Sequence, residues 1–168
     1  MQKANQHQGE WRSVVSVSIA LLIVAADQFS KWWIRTNLAV GESLFDLGFL
    51  RIIHVNNTGA AFGILKDKTL LLVMAAFVGV LVLLIVGFVL RGRWPFLDSM
   101  LVMSAIGLVM GGTIGNLIDR LTREGHVTDF IDFKVWPAFN VADSAVTVGV
   151  LLIAYRLIVF TWRAEHQP

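Results

Sequence analysis

Two stretches of the chain, Thr69–Leu90 and Ser99–Ile118, contain no charged residue. About 20 consecutive apolar residues carry an α-helix across the hydrocarbon core of a bilayer. These stretches therefore predict membrane-spanning helices over about 69–90 and 98–118. Ser13–Ala26 is a shorter apolar run stopped by Asp27. With that acid tolerated, it lengthens to a helix over 13–33, and Trp11, Trp32 and Trp33 stand where interface anchors would. Val141–Trp162 is interrupted only by Asp143 near its start and Arg156 near its end. There a long side chain can snorkel to the interface, so 141–162 is the fourth predicted span.

Between the spans the pattern changes. Residues 1–12 are polar and predict a short tail, and Arg91–Pro95 predicts a tight connection between helices two and three. The loops over about 35–68 and 119–140 are much larger. Leu47–Val55 has strand composition and Asn56–Gly59 is a turn signal, so a small sheet outside the membrane is expected in the first loop. The predicted fold is membrane all-α: one integral-membrane domain over 1–168, a four-transmembrane-helix bundle with a small extramembrane β-rich platform between helices one and two.

Composition agrees with a membrane protein and disfavours a soluble helical bundle. The 168 residues are 56% hydrophobic and 15% charged, with a mean hydropathy of +0.69, whereas soluble domains are about 25% charged. The absence of cysteine excludes disulfides, a thiol nucleophile and a thiolate metal site. A net charge of +2 with no basic stretch gives no reason to expect a nucleic-acid partner. Lys3 and Arg12 ahead of an apolar run ending in Val24-Ala25-Ala26 also imitate a cleaved secretory signal. Against cleavage, Asp27, Ser30 and Lys31 continue a helical face. Four spans place both termini on one side. Six Lys and Arg fall on that side and eight on the other. The count opposes a cytoplasmic N-terminus and the charge density of the shorter segments favours it.

The polar residues of the spans are not scattered. Asn140, Asp143, Ser144 and Thr147 form one helical stripe, and so do Gly112, Gly115, Asn116, Asp119 and Arg120. Asp27, Ser30 and Lys31 share a face of helix one. Chain direction brings all three groups to the membrane surface that bears both large loops. Gly107, Gly111 and Gly115, spaced by four, are a close-packing pattern. Bland roles compete at each position. Asp27 with Lys31 and Asp119 with Arg120 read as local ion pairs, Asp143 with Asn140 as a helix cap, and Asp132 as a solvated loop acid. His54 and His126 lack partners at ligand spacing, so neither a metal nor any other cofactor is expected. Neither Ser144 nor Thr147 has the His or Lys neighbour a nucleophile needs. What remains is carboxylate chemistry. Two acids a few ångströms apart hold one proton between them, so one can deprotonate water while the other polarises a carbonyl.

The segments DQFSKWW, NNTGAAFG, GGTIGNLIDR, GHVTDFIDF and PAFNVADSAVTVG, in this order, resemble the lipoprotein signal peptidase (signal peptidase II) family from about Asp27 to Gly149. The resemblance implies an aspartyl endopeptidase of the bacterial inner membrane that removes the signal peptide from lipid-modified prolipoproteins, cutting before the lipidated cysteine. It implies Asp129 and Asp143 as the catalytic aspartates. Asp27, Asn57, Asn116, Asp119, Arg120 and Asn140 become substrate-binding or site-supporting positions. It further implies cytoplasmic termini, an active site near the periplasmic face, a platform over about 40–65, contact with membrane lipids, and inhibition by globomycin. Two other readings stay on the table: a small proton-coupled transporter, which predicts acids near mid-helix and an inverted repeat, and a scaffold subunit packed through its glycine faces.

Overall fold

The structure is a computed structural model that describes residues 2–59, 68–90, 93–94 and 96–166, with only the backbone given for 2–9. Ala60–Leu65 of the expected platform, and Arg91, Gly92 and Pro95 of the expected connection, lie outside the described residues.

Four helices follow the four apolar stretches: α1 (Gln2–Asn37), α2 (Thr69–Leu84, continued by a π-helical turn over Ile85–Val89), α3 (Met100–Thr122) and α4 (Val141–Glu165). Each is long and apolar enough to cross a membrane. The expected tail is helical instead, because α1 begins at Gln2. Residues 2–8 contain neither proline nor glycine, so nothing local stops the helix from growing outward. Arg12 then ties α1 to Asp98, in the turn ahead of α3. The exposed tryptophans form two tiers: Trp11, Trp94 and Trp162 at the end of the bundle with the α2–α3 connection, and Trp32, Trp33 and Trp136 at the other. Trp11 and Trp32 are separated by about 32 Å of helix rise, the thickness of a hydrocarbon core.

α3 is the central helix. An added Cβ on Gly111 would stand 2.7 Å from the Ala20 carbonyl oxygen of α1, and one on Gly115 would stand 2.6 Å from Asp27 Oδ2. One on Gly112 would strike the Ala142 carbonyl oxygen of α4. The small-residue stripe thus sets how closely α1 and α4 approach α3. α2 packs chiefly against α3. No residue of Thr69–Leu84 is buried among the described residues. Leu97, Val102, Met103 and Ile106 form an apolar core at the α2–α3 end.

At the opposite end sits a three-stranded antiparallel sheet in the order β1 (Ser43–Asp46), β2 (Arg51–Asn57), β3 (Val127–Asp132). The first two strands are the expected platform. The third comes from the second loop, where no strand was expected. α3 also runs to Thr122, four residues past its expected end. Glu124 and Gly125, both with positive φ, reverse the chain between α3 and β3. Arg51 pairs with Asp132, Val55 with Asp129 and Asn57 with Val127 across the β2–β3 ladder. Ile34, Leu38 and Phe130 make a second apolar core that seats the sheet on the end of α1. Beyond β3, the Phe139 carbonyl accepts from the backbone N–H of Ile131 at 2.8 Å, and the Phe139 N–H donates to the Ile131 carbonyl at 3.0 Å. That closure returns the chain to the sheet one residue before α4 is capped.

Candidate active site

The start of α4 is held from two sides. A helix N-terminus leaves N–H groups without intrahelical partners. Asn140 Oδ1 accepts from the Asp143 N–H at 2.9 Å, and Asp27 Oδ1 on α1 accepts from the Ala142 N–H at 2.9 Å. Asp143 Oδ2 in turn accepts from the Asn140 N–H at 3.2 Å, completing a capping box. The bland cap reading of Asp143 and Asn140 therefore holds. It does not exhaust what these residues do.

Asp129 lies on β3 and is buried, at 2% exposure. Its Oδ1 accepts from Asn140 Nδ2 at 2.7 Å and its Oδ2 from Asn57 Nδ2 at 2.9 Å. Asn57 can reach it because it stands two residues beyond Val55, the cross-strand partner of Asp129, on the same face of the sheet. Half-buried Asp143 receives Asn116 Nδ2 on Oδ1 at 2.8 Å. Each of the four carboxylate oxygens thus has one N–H donor, which leaves further lone pairs to face a ligand. Burial, and next the negative charge of Asp143, push the Asp129 carboxyl up to about 7 against the donors from Asn57 and Asn140.

Both acids line a cleft of about 860 Å³, together with Asn57, Thr58, Gly59, Asn116, Arg120, Trp136, Phe139 and Thr147, and with Ala76 of α2 on the far wall. Arg120 donates to the carbonyls of Gly59 at 3.2 Å and Asn116 at 3.4 Å. Its buried Nε has no hydrogen-bond partner among the described residues.

Two expectations, one pairing and one solvated acid, are corrected. Asp119 does not pair with Arg120. Adjacent residues on a helix do not face one another, and Asp119 instead meets Lys31 at 3.4 Å and Arg35 at 3.5 Å. It also accepts from the Thr128 N–H at 3.0 Å, which fixes β3 against α3. Asp132 is not a solvated loop acid. It ends β3, is buried, and takes Arg51 Nε at 2.6 Å. The Asp27–Lys31 ion pair is present, at 2.8 Å with both side chains wholly buried.

The structure thus gathers Asp27, Asn57, Asn116, Asp119, Arg120, Asp129, Asn140 and Asp143 into one connected polar cluster. The sequence reading missed Gln28, whose amide reaches Asp27, the Gly115 carbonyl and Asp119. It also missed Arg35 and Thr128. The spacing by four of Asp27, Lys31 and Arg35 was the available signal for Arg35. His54 and His126 bond through Nδ1 to the Leu38 and Arg123 carbonyls. No cluster of three or more His, Asp or Glu is placed to hold a metal ion among the described residues.

Four helices of membrane-spanning length, with a carboxylate pair in a cleft at one end, define a class: a multi-pass membrane protein equipped for acid–base hydrolysis. Residues 19–159 match the model of the signal peptidase (SPase) II family. The chain is 44% identical over 151 residues to the lipoprotein signal peptidase of Moorella thermoacetica, covering 89% of this chain and 97% of that one. It is 48% identical over 134 residues to that of Dehalococcoides mccartyi strain CBDB1, covering 79% and 82%. A solved bacterial membrane enzyme superposes with a TM-score of 0.80 at 34% identity, covering 91% of this chain and 93% of that one. The chain belongs to the signal peptidase II family of aspartic peptidases.

Proposed function

We propose that this peptidase cleaves the signal peptide from diacylglyceryl-modified prolipoproteins, immediately before the lipidated cysteine, with Asp129 and Asp143 as its catalytic pair. The observation that carries the assignment is Asn140. It joins the pair by donating its side-chain amide to Asp129 and its backbone N–H to Asp143.

The two acids differ in surroundings, and the difference supports a division of labour. Asp129, with a carboxyl raised to about 7 by burial and by its neighbour's charge, is the proton carrier. Asp143 is the base. Water, held between them, gives a proton to Asp143 as its oxygen attacks the scissile carbonyl, and Asp129 gives its proton to the carbonyl oxygen. As the tetrahedral intermediate collapses, Asp143 passes its proton to the leaving nitrogen and Asp129 recovers one from the hydroxyl. Both acids then stand as they began. Arg120 lines the cleft and braces its wall through the Gly59 and Asn116 carbonyls, while Asp27 and Asp119 hold the three helices in register.

The placement fits a substrate anchored by its lipid. The scissile bond of a diacylglyceryl-cysteine stays near the membrane surface, and the cleft lies at one end of the spans. We assign the protein to the bacterial inner membrane, with cytoplasmic termini, the site at the periplasmic face and lipids around the bundle. The short, positively charged terminal segments support that orientation. Globomycin, a cyclic peptide, is assigned to the same cleft.

Cleavage of a lipidated prolipoprotein by purified protein tests the assignment. Wild type cleaves and globomycin stops it, while Asp129→Asn and Asp143→Asn are inactive. Cleavage by Asp129→Asn at the wild-type rate would remove that residue from the pair.

A further inference from the structure

Lys31 has no exposed surface, yet it does more than neutralise Asp27. Its ammonium carries three hydrogens and has three acceptors: Asp27 Oδ2 at 2.8 Å, Asp119 Oδ2 at 3.4 Å and Asn116 Oδ1 at 2.8 Å. The two carboxylates do not depend on it alone. Asp27 also takes the Ala142 N–H and Gln28, and Asp119 takes Arg35, Gln28 and the Thr128 N–H. The Asn116 oxygen has less support. Asn140 Nδ2 reaches it at 3.2 Å, but that NH₂ also serves Asp129 at 2.7 Å and the Thr128 carbonyl at 3.4 Å.

A side-chain amide has a donor end and an acceptor end, and a lysine ammonium can only donate. Lys31 therefore fixes which way Asn116 faces. Its oxygen turns to the ammonium, and its NH₂ turns to Asp143 Oδ1 at 2.8 Å. The opposite rotamer would set donor against donor at Lys31 and oxygen against carboxylate at Asp143. An ammonium on the amide oxygen also polarises the amide and strengthens the bond its N–H makes.

We infer that Lys31 is a positioning residue for the reaction: acting through Asn116, it orients Asp143 as the base. This rests on the proposed catalytic pair. Lys31 is wholly buried and does not line the cleft. It sets the aim and hydrogen bonding of the carboxylate that takes the proton.

The test is a cycle built on a charge-neutral background. Removing Lys31 alone would leave buried carboxylates short of a cation, so Lys31→Met is combined with Asp27→Asn and compared with Asp27→Asn alone. Turnover and KM are measured on a diacylglyceryl-modified prolipoprotein, and folding is followed by thermal unfolding in detergent. Expected is a kcat lower by roughly 10- to 100-fold at unchanged KM, the scale typical of outer-shell partners. In an Asn116→Ala background the same change should cost nothing further, because the route to Asp143 is already cut. An unchanged kcat, or an equal loss in both backgrounds, would overturn the inference. If the combined variant fails to fold, Asn116→Asp keeps the oxygen that Lys31 donates to and removes the N–H that meets Asp143. A lost kcat with KM intact then supports the link, and wild-type turnover overturns it. Asp143→Asn is measured alongside. If it cleaves normally, the catalytic pair itself is wrong. If it is dead while the Lys31 variant is unimpaired, only the role of Lys31 falls.

Discussion

Asn140 and Asp143 cap the same helix reciprocally, each side chain accepting the other's backbone N–H, at 2.9 and 3.2 Å. The proposed base is thereby part of the structure that starts α4, and it sits at the positive end of the helix dipole. Asn140→Ala should lower stability by about 1 kcal/mol, the usual scale for an N-cap. It should lower kcat far more, because Asp129 loses its shortest donor. Thermal unfolding and turnover measured on one preparation separate the two effects.

Asp129 and Asp132, three positions apart in sequence, should behave differently. Asp132 is bound to Arg51, which is 36% exposed, and to the Lys134 N–H. Asp132→Asn is expected to cost no more than about 1 kcal/mol, as for a partly exposed ion pair, and to leave prolipoprotein cleavage intact. Asp129→Asn should abolish it. Peptidase assays on the two variants decide which acid of the TDFID stretch reacts.

Asp129 must hold a proton to polarise the carbonyl, so kcat should fall as pH rises through about 7. Stability follows the same group. Between the ordinary carboxylate value of 3.8 and about 7, the folded protein keeps a proton that the unfolded chain has lost. Stability should therefore decline as pH rises across that window and level off above it. Asp129→Asn should flatten the slope, as read from melting temperatures between pH 4 and 8. A slope unchanged by the substitution would place the titrating group elsewhere.

Gly111 lies where α1 and α3 touch, with space for no side chain: a Cβ would stand 2.7 Å from the Ala20 carbonyl and 2.9 Å from Ile23 Cβ. Gly111→Ala is expected to destabilise the bundle by roughly 1–3 kcal/mol, the cost of overpacking. Gly79 of α2 has nothing within 4 Å of its Cβ position, and Gly79→Ala should be nearly neutral. Melting in detergent compares them.

The spans were readable because charge is excluded from a bilayer, so the gaps between charges outline the helices. Convergence of the polar ends was readable from chain direction. β3 was not readable. Its burial does not alternate, with five of its six residues buried, and its partner β2 lies far earlier in the chain. The contacts of Asp119 were hidden for a related reason. Lys31, Arg35 and the Thr128 N–H come from α1 and β3, and spacing within one helix cannot name a partner on another. The choice of Asp129 over Asp132 for the proposed pair rests, at the level of sequence, on the motif resemblance alone.

The Ile131–Phe139 closure separates two jobs along the chain. Asp129 precedes it and Asp143 follows it, so their spacing is set by backbone bonds that ignore the seven residues between. Asp132, Phe133 and Lys134 are tied to Arg51, Phe139 and Asp46, so freedom to differ in sequence and length falls on residues 135–138. Trp136, Pro137 and Ala138 among them nevertheless form part of the cleft wall. An engineer could therefore rewrite this segment to change which signal peptides are admitted while leaving the reacting groups at their posts.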